Sequence, residues 1–228
     1  MEADALVPGT FLATLEEPER AALEGLGVVR RFPRGVLLMF EQEPSERVMI
    51  LLSGRVKVSR LNEEGRELLL SVRDPGDVIG ELGFIDGAPR IASVTALEPV
   101  AALVFPSATF RGHLETAPRV AVALLQIIIG RFRDTTVKRS QSAVADTMAR
   151  VAARILELCD RYGRPAGEEI EVDMPLSQEE LAAWTGSSRA GVAQSLQAMR
   201  ELGWIRTERR RIVVTDPGAL RARAAHGA

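Results

Sequence analysis

The sequence predicts an α+β protein: two small domains joined by one long helix. Three observations lead there. Short β-type runs recur at near-regular spacing from residue 36 to residue 105. A single helical pattern then runs through residues 118–142. Residues 176–214 read as two short capped helices followed by a basic hairpin.

At 228 residues the chain is long enough for two modest cores. Its 46% hydrophobic and 26% charged residues are ordinary for a globular protein. The single cysteine, Cys159, excludes an intrachain disulfide and a cysteine-only metal or iron–sulfur site. It lies in an amphipathic stretch, so a buried small hydrophobe is expected rather than a reactive thiol. Glu2 and Asp4 stand where a secretory leader would be basic. The longest apolar run, residues 120–129, is too short to span a bilayer and leads into Arg131 and Arg133. A cytoplasmic protein without membrane association is therefore expected.

The N-terminal region begins with a helical pattern over residues 15–26, with Pro18 near its start and Gly25 and Gly27 near its end. Strand-like runs follow at 36–40, 48–52, 55–61, 67–72, 93–96 and 100–105. Asn62-Glu-Glu-Gly65 suits a hairpin turn between two of them. Many short strands of this kind make a sandwich, roll or barrel. In the long helix, Ala121, Leu125, Ile128, Phe132 and Thr135 alternate by four and three, the seam of a helix pair. Ile127, Ile128 and Ile129 in succession are too apolar for one solvated face. Part of that surface is expected to meet the β-domain and part a second copy of the chain, in a parallel homodimer. Asp146 begins another helix, which ends near Tyr162 before Gly163, Pro165 and Gly167; residues 168–174 alternate like a strand.

In the C-terminal region Ser177-Gln178-Glu179-Glu180 is a capping box. Leu181 and Trp184 give the first helix its inner face. Gly186 permits a tight turn, and Ser187 and Ser188 can cap the second helix. Val192, Leu196 and Met199 form its buried stripe, while Arg189, Ala190, Ala193, Gln194 and Gln197 face away. This is the geometry of a DNA-reading helix-turn-helix, and the hairpin after Gly203, with Arg209 and Arg210 at its tip, is a wing. Ser188 and the helix N-terminus can hold a phosphate. Arg189 can pair with guanine O6 and N7, and Gln194 with adenine N6 and N7. Arg209 and Arg210 would neutralise flanking phosphates. Ser177, Gln178 and Ala190 complete the candidate DNA-facing set. Although the formal net charge is −2, eight arginines stand against three acids from Ser187 onward.

Residues 77–90 form the second informative stretch. A glycine-rich loop opening a short helix offers free N–H groups to an anion, and Arg90 can pair with it. Glu81 can accept from a sugar hydroxyl. On spacing alone, an ordinary turn and a surface arginine fit these residues equally well.

Taken together, the motifs resemble the bacterial cyclic AMP receptor protein/FNR family over essentially the whole chain. The matching stretches are Gly35 to Gly54, Gly80-Glu81-Leu82 through Pro89-Arg90, the long helix, and Leu176-Ser-Gln-Glu-Glu-Leu to Ile205. The resemblance implies a β-roll of the cyclic-nucleotide-binding jelly-roll type over 1–117, a dimerisation helix and hinge over 118–145, and a winged helix-turn-helix over 146–228. It implies cAMP as an allosteric ligand, with no cofactor required. Gly80 and Leu82 would offer backbone groups to the cyclic phosphate, Arg90 would pair with it, and Glu81 would bind the ribose 2′-hydroxyl. Val58, Leu70 and Ser71 would line the pocket, and Thr135, with Thr136 of a second copy, would meet the base. Implied partners are a two-fold double-stranded DNA site, a second copy through residues 118–142, and RNA polymerase.

Three residues depart from the family pattern. Ile91 follows the phosphate arginine where Ser or Thr is usual, which removes one phosphate hydrogen bond. Gln42 replaces a usual glycine. The common recognition pattern Arg-Glu-x-x-x-Arg reads Arg189-Ala190-Gly-Val-Ala-Gln194, so the operator is expected to differ from the family's best-known one. The cysteine count excludes an FNR-like iron–sulfur sensor. His113 and His226, the only histidines, lie outside the pocket motif, which argues against a haem sensor. Two alternatives stand beside the cAMP-responsive regulator: the same fold answering to another effector or to none, and a cyclic-nucleotide module acting on a protein partner. No catalytic constellation appears, so an enzyme is not expected.

Overall fold

The computed structural model describes residues 7–142, 146–173, 176–208 and 211–225, the stretch 137–142 by its backbone alone. The chain divides into two compact units, Met1–Gly65 with Leu69–Arg133, and Arg66–Leu68 with Asp134–Ala228.

The first unit opens with helices α1 (Phe11–Thr14) and α2 (Glu17–Leu26). Glu16 and Glu19 cap α2 reciprocally, so it starts two residues later than the apolar pattern suggests. Strands β1 (Val28–Phe32), β2 (Leu37–Met39), β3 (Arg47–Ser53), β4 (Val56–Leu61), β5 (Glu67–Arg73) and β6 (Val78–Ile79) follow, then helix α3 (Glu81–Asp86), β7 (Ser93–Ala96), β8 (Val100–Pro106), α4 (Ser107–Thr116) and α5 (Pro118–Ser142). The strands form two four-stranded sheets, β1-β8-β3-β6 and β2-β7-β4-β5. The predicted turn closes between β4 and β5, where Gly65 N–H donates to the Asn62 carbonyl at 2.9 Å.

Strand β3 shows how the two cores form. Alternate side chains point to opposite faces of a strand. Met49 and Leu51 enter the core between the sheets with Leu38, Val56, Ile79 and Val94. Val48 and Ile50 face the helices and meet Phe11, Leu23, Phe105, Phe110, Val120 and Leu124. Both faces are covered, which is why β3 reads as a continuous apolar run. Strand β1 and helix α4 carry no strong sequence pattern. Strand β1 is an edge strand whose residues are mostly exposed, so selection for apolar alternation is absent there.

Helix α5 spans the predicted residues. Val120, Ala123 and Leu124 are buried, and Ile127 and Ile128 pack partly against the same core. Val122, Leu125, Ile129 and Phe132 are exposed, Phe132 by 72%. These four are spaced by three, four and three. The exposed seam is thus rotated from the one read in the sequence, because Ile128 turns toward the core.

Gln42 is the one non-glycine with positive φ among the described residues, at +71°. Left-handed backbone costs a residue with a Cβ about 1–2 kcal/mol. Gln42→Gly is therefore expected to raise stability by about 1 kcal/mol, after glycine's greater unfolded-state entropy is deducted. Urea unfolding checks this, and a loss of stability would contradict it.

The second unit contains α6 (Thr147–Tyr162), β9 (Gly163–Ala166), β10 (Glu169–Asp173), α7 (Gln178–Thr185), α8 (Arg189–Glu201), β11 (Ile205–Glu208), β12 (Arg211–Val214) and α9 (Pro217–Ala225). Its sheet runs β11-β12-β10-β9. Asp146 caps α6 by accepting from Ala149 N–H at 2.9 Å. Val151, Ile155, Leu158, Leu181, Trp184, Leu196, Met199 and Leu220 make the core. Cys159 is buried, and burial pushes its thiol up to about 11, so it stays protonated and inert. Among the described residues, no helix is long and apolar enough to cross a membrane.

Candidate functional site

In the first unit the chain leaves β6 through Gly80, whose φ is +79°. A Cβ there would lie 2.5 Å from Arg90 Nη1 and 2.8 Å from Met39 Cε. Only glycine gives both the conformation and the space for the guanidinium beside it. Arg90 is 5% exposed. Its Nη2 donates to the Arg47 carbonyl at 2.8 Å. Its own backbone is held on both sides, donating to the Glu43 carbonyl and accepting from Gln42 N–H, each at 2.9 Å. Among the described residues no carboxylate lies within ion-pair distance of it. Burial, then repulsion from Arg47, pull the Arg90 pKa below its ordinary value. A bound anion would offset both penalties.

Glu81, at 6% exposure, is also buried. Its Oε1 accepts from Arg131 Nη1 at 2.7 Å. Arg131 Nη2 donates to Asp77 Oδ1 at 2.8 Å, and Nη1 also reaches the Val78 carbonyl at 3.0 Å. Two buried carboxylates thus share one guanidinium that comes from α5. The Oε2 of Glu81 has no partner among the described residues and remains available as an acceptor. The sequence reading missed Arg131, treating it only as the charge that ends the apolar run. The available signal was two carboxylates, Asp77 and Glu81, in an otherwise apolar stretch that needs a buried cation.

Gly80, Glu81 and Arg90 are therefore brought together. Leu82 is exposed at the start of α3. Leu70, exposed, and Ser71, half-buried, lie on β5 beside β4, where Val58 packs partly against the inter-sheet core. Ile91 is exposed next to Arg90. Thr135 and Thr136 are exposed on α5 and belong to the second unit.

In the second unit the predicted capping box is present. Glu180 N–H donates to Ser177 Oγ at 3.2 Å, and Ser177 N–H donates to Glu180 Oε2 at 2.7 Å. Gln178 is the exposed first residue of α7. Gly186 turns the chain in the left-handed region, at φ +61°. Ser188 caps α8, accepting from Gly191 N–H at 3.1 Å. Val192, Leu196 and Met199 are buried, while Arg189, Ala190 and Gln194 are exposed. Neither Arg189 nor Gln194 spends its side chain on another described residue, so both stay available to a ligand. Arg150 was also missed. From α6 it donates to the Thr185 carbonyl at 2.8 Å and to Ser187 Oγ at 3.0 Å, fixing the turn between the two helices.

The wing is formed by β11 and β12; Arg209 and Arg210 lie outside the described residues. The local positive excess is smaller than the count along the sequence suggests. Arg206 pairs with Glu169 through contacts of 2.7 and 2.8 Å, and Arg211 pairs with Glu171 at 3.2 Å. Arg223 pairs with Asp146. These acids precede the window that was counted, and only folding brings them alongside.

An N-terminal β-domain holding an anion-ready arginine, followed by a winged helix-turn-helix, defines an effector-domain DNA-binding regulator. Comparison with known proteins agrees. Residues 29–117 match the cyclic nucleotide-binding domain, and residues 149–223 match the Crp-like helix-turn-helix domain. The chain is 35% identical over 193 residues to the CRP-like cAMP-activated global transcriptional regulator of Mycobacterium tuberculosis, covering 85% of this chain and 86% of that one. It is 31% identical over 215 residues to the global nitrogen regulator of a Synechocystis species, covering 91% and 96%. The crystal structure of a CRP-family transcriptional regulator from Thermus thermophilus superposes with a TM-score of 0.71 at 27% identity, covering 86% and 96%. The chain belongs to the cyclic AMP receptor protein/FNR family of transcriptional regulators, a family of DNA-binding proteins rather than enzymes.

Proposed function

We propose that the protein is a homodimeric transcriptional regulator whose DNA affinity is set by cAMP bound in the N-terminal unit. The carrying observation is the buried Arg90 guanidinium, which lies against Gly80 and has no carboxylate partner among the described residues. Leaving such a charge unpaired is costly, and a cyclic phosphate supplies the missing anion. In this reading the backbone of Gly80 and Leu82 meets the same phosphate. Glu81 accepts the ribose 2′-hydroxyl on Oε2 while Oε1 stays with Arg131. Val58, Leu70 and Ser71 face the remainder of the nucleotide, and Thr135, with Thr136 of the second copy, meets the base. The M. tuberculosis relative is named for cAMP activation, which favours this ligand.

The exposed seam Val122, Leu125, Ile129 and Phe132 supports dimerisation through residues 118–142. Because Arg131 lies on that same helix, the ribose carboxylate and the dimer element share one ion-pair network, which gives the ligand a route to bias the two DNA-binding units. The domain limits 1–117, 118–145 and 146–228 go with this division of labour, as do a cytoplasmic location and RNA polymerase as a partner.

A second reading keeps the fold but replaces cAMP by another effector. Ile91 favours it, since an exposed apolar side chain stands where a hydroxyl would add a phosphate hydrogen bond. Selection of bound duplexes from a random pool, with and without cAMP, tests the proposal. A two-fold site enriched only with cAMP is the expected result. Titration calorimetry with cAMP and cGMP separates the readings, and absence of heat at millimolar ligand would overturn cAMP control.

On the recovered site, Arg189→Ala is expected to relax preference at one base pair of each half-site, losing about 1–3 kcal/mol of discrimination. An unchanged base preference would show that Arg189 does not read a base.

A further inference from the structure

Helix α9 follows the wing and packs along α6, burying Leu220. Its last turn carries Arg223, whose Nη2 pairs with Oδ2 of Asp146. Asp146 is the N-cap of α6, and its other oxygen accepts from Ala149 N–H. The next residue, Thr147, stands against the first turn of α8: a Cβ placed on Gly191 would lie 3.4 Å from Thr147 Cγ2. Gly191 is the residue whose N–H the Ser188 cap accepts. Arg223 is therefore held at the N-cap of α6, one residue from the side chain that stands against the first turn of the recognition helix.

The charges there are informative. The Asp146 side chain is 62% exposed, so an unpaired carboxylate at this place would repel DNA phosphates. Arg223 neutralises it. A guanidinium has five N–H donors, and Asp146 does not use them all. The Arg223 side chain is only 23% exposed, so its stem is already ordered and less entropy is lost on contact.

We infer that α9 is part of the nucleic-acid interface and that Arg223, held in place by Asp146, contacts a DNA phosphate beside the start of the recognition helix. The inference rests on the helix-turn-helix binding DNA. It adds an element beyond the helix pair and the wing.

The test is fluorescence anisotropy of the full chain on one selected duplex across a series of salt concentrations. Arg223→Gln should weaken binding about three- to ten-fold on every sequence, and lower the steepness of log K against log salt by about one. Arg223→Lys keeps the charge and should restore the steepness. Asp146→Asn keeps the cap, since Asn serves there as well as Asp, and removes the negative charge. Because the positive charge of Arg223 remains, the steepness should be undiminished, whatever affinity is lost with the positioning. If the pair were only a clasp between α9 and α6, Arg223→Gln and Asp146→Asn would weaken binding alike and leave the salt slope unchanged in both. That result, or an unchanged salt slope in Arg223→Gln, overturns the inference. Failure of the parent protein to bind any selected duplex would overturn the DNA-binding reading itself.

Discussion

Arg90→Ala is expected to abolish measurable nucleotide binding while leaving the fold intact. The guanidinium lies directly against Gly80, 2.5 Å from where a Cβ on that residue would stand. Truncating one partner of a buried, hydrogen-bonded charge pair costs about 2–5 kcal/mol or more, a loss of roughly 30-fold to several thousand-fold in affinity. The unliganded protein should suffer far less. Arg90 gives up one hydrogen bond to the Arg47 carbonyl, but the cost of burying a charge without a carboxylate disappears with it. Calorimetric titration together with a thermal melt of the unliganded variant checks both halves. Retained affinity would place the effector site elsewhere.

Arg131→Ala should strongly destabilise the first unit. It leaves Asp77 and Glu81, both at 6% exposure, facing each other without a cation. Breaking a buried ion pair from one side costs about 3–5 kcal/mol. The two tryptophans, Trp184 and Trp204, both lie in the second unit, so their fluorescence reports on that unit. Far-UV circular dichroism reports on both. The expected result is an early dichroism transition in denaturant with the tryptophan transition little changed. Adding Asp77→Asn and Glu81→Gln to the same chain should recover part of the loss, because neutral amides are cheaper to leave buried than carboxylates. Coincident, unshifted transitions would show that the network carries little stability.

Much of the second unit was legible because its signals are local. A capping box spans four residues, a turn glycine one, and a helical stripe two or three turns. Ser177 with Glu180, Gly186, and Val192 with Leu196 and Met199 therefore did in the fold what their spacing predicted. The β-runs at 48–52 and 67–72 were readable for the same reason. Strand β1 and helix α9 were not. The first is an exposed edge strand, and the second is a short helix whose stability comes from packing on α6. Long-range pairs were also invisible. Arg131 meets Glu81 across fifty residues of chain, and Arg150 reaches the turn at Thr185 and Ser187 from a different helix.

The sequence alone therefore determined the α+β class, the order of the two folding units, the long helix between them, and the presence of a DNA-reading helix pair. Each follows from periodicity, capping or turn chemistry within a short window. The tertiary structure alone decided which charges are free. It left Arg90 buried without a carboxylate partner among the described residues. It gave Glu81 one committed oxygen and one open one. It cancelled Arg206 and Arg211 against acids from an earlier strand, and paired Arg223 with the Asp146 cap of α6. The physical reason is that the fate of a charge depends on burial and on partners distant in sequence, and a linear count of arginines and acids carries neither.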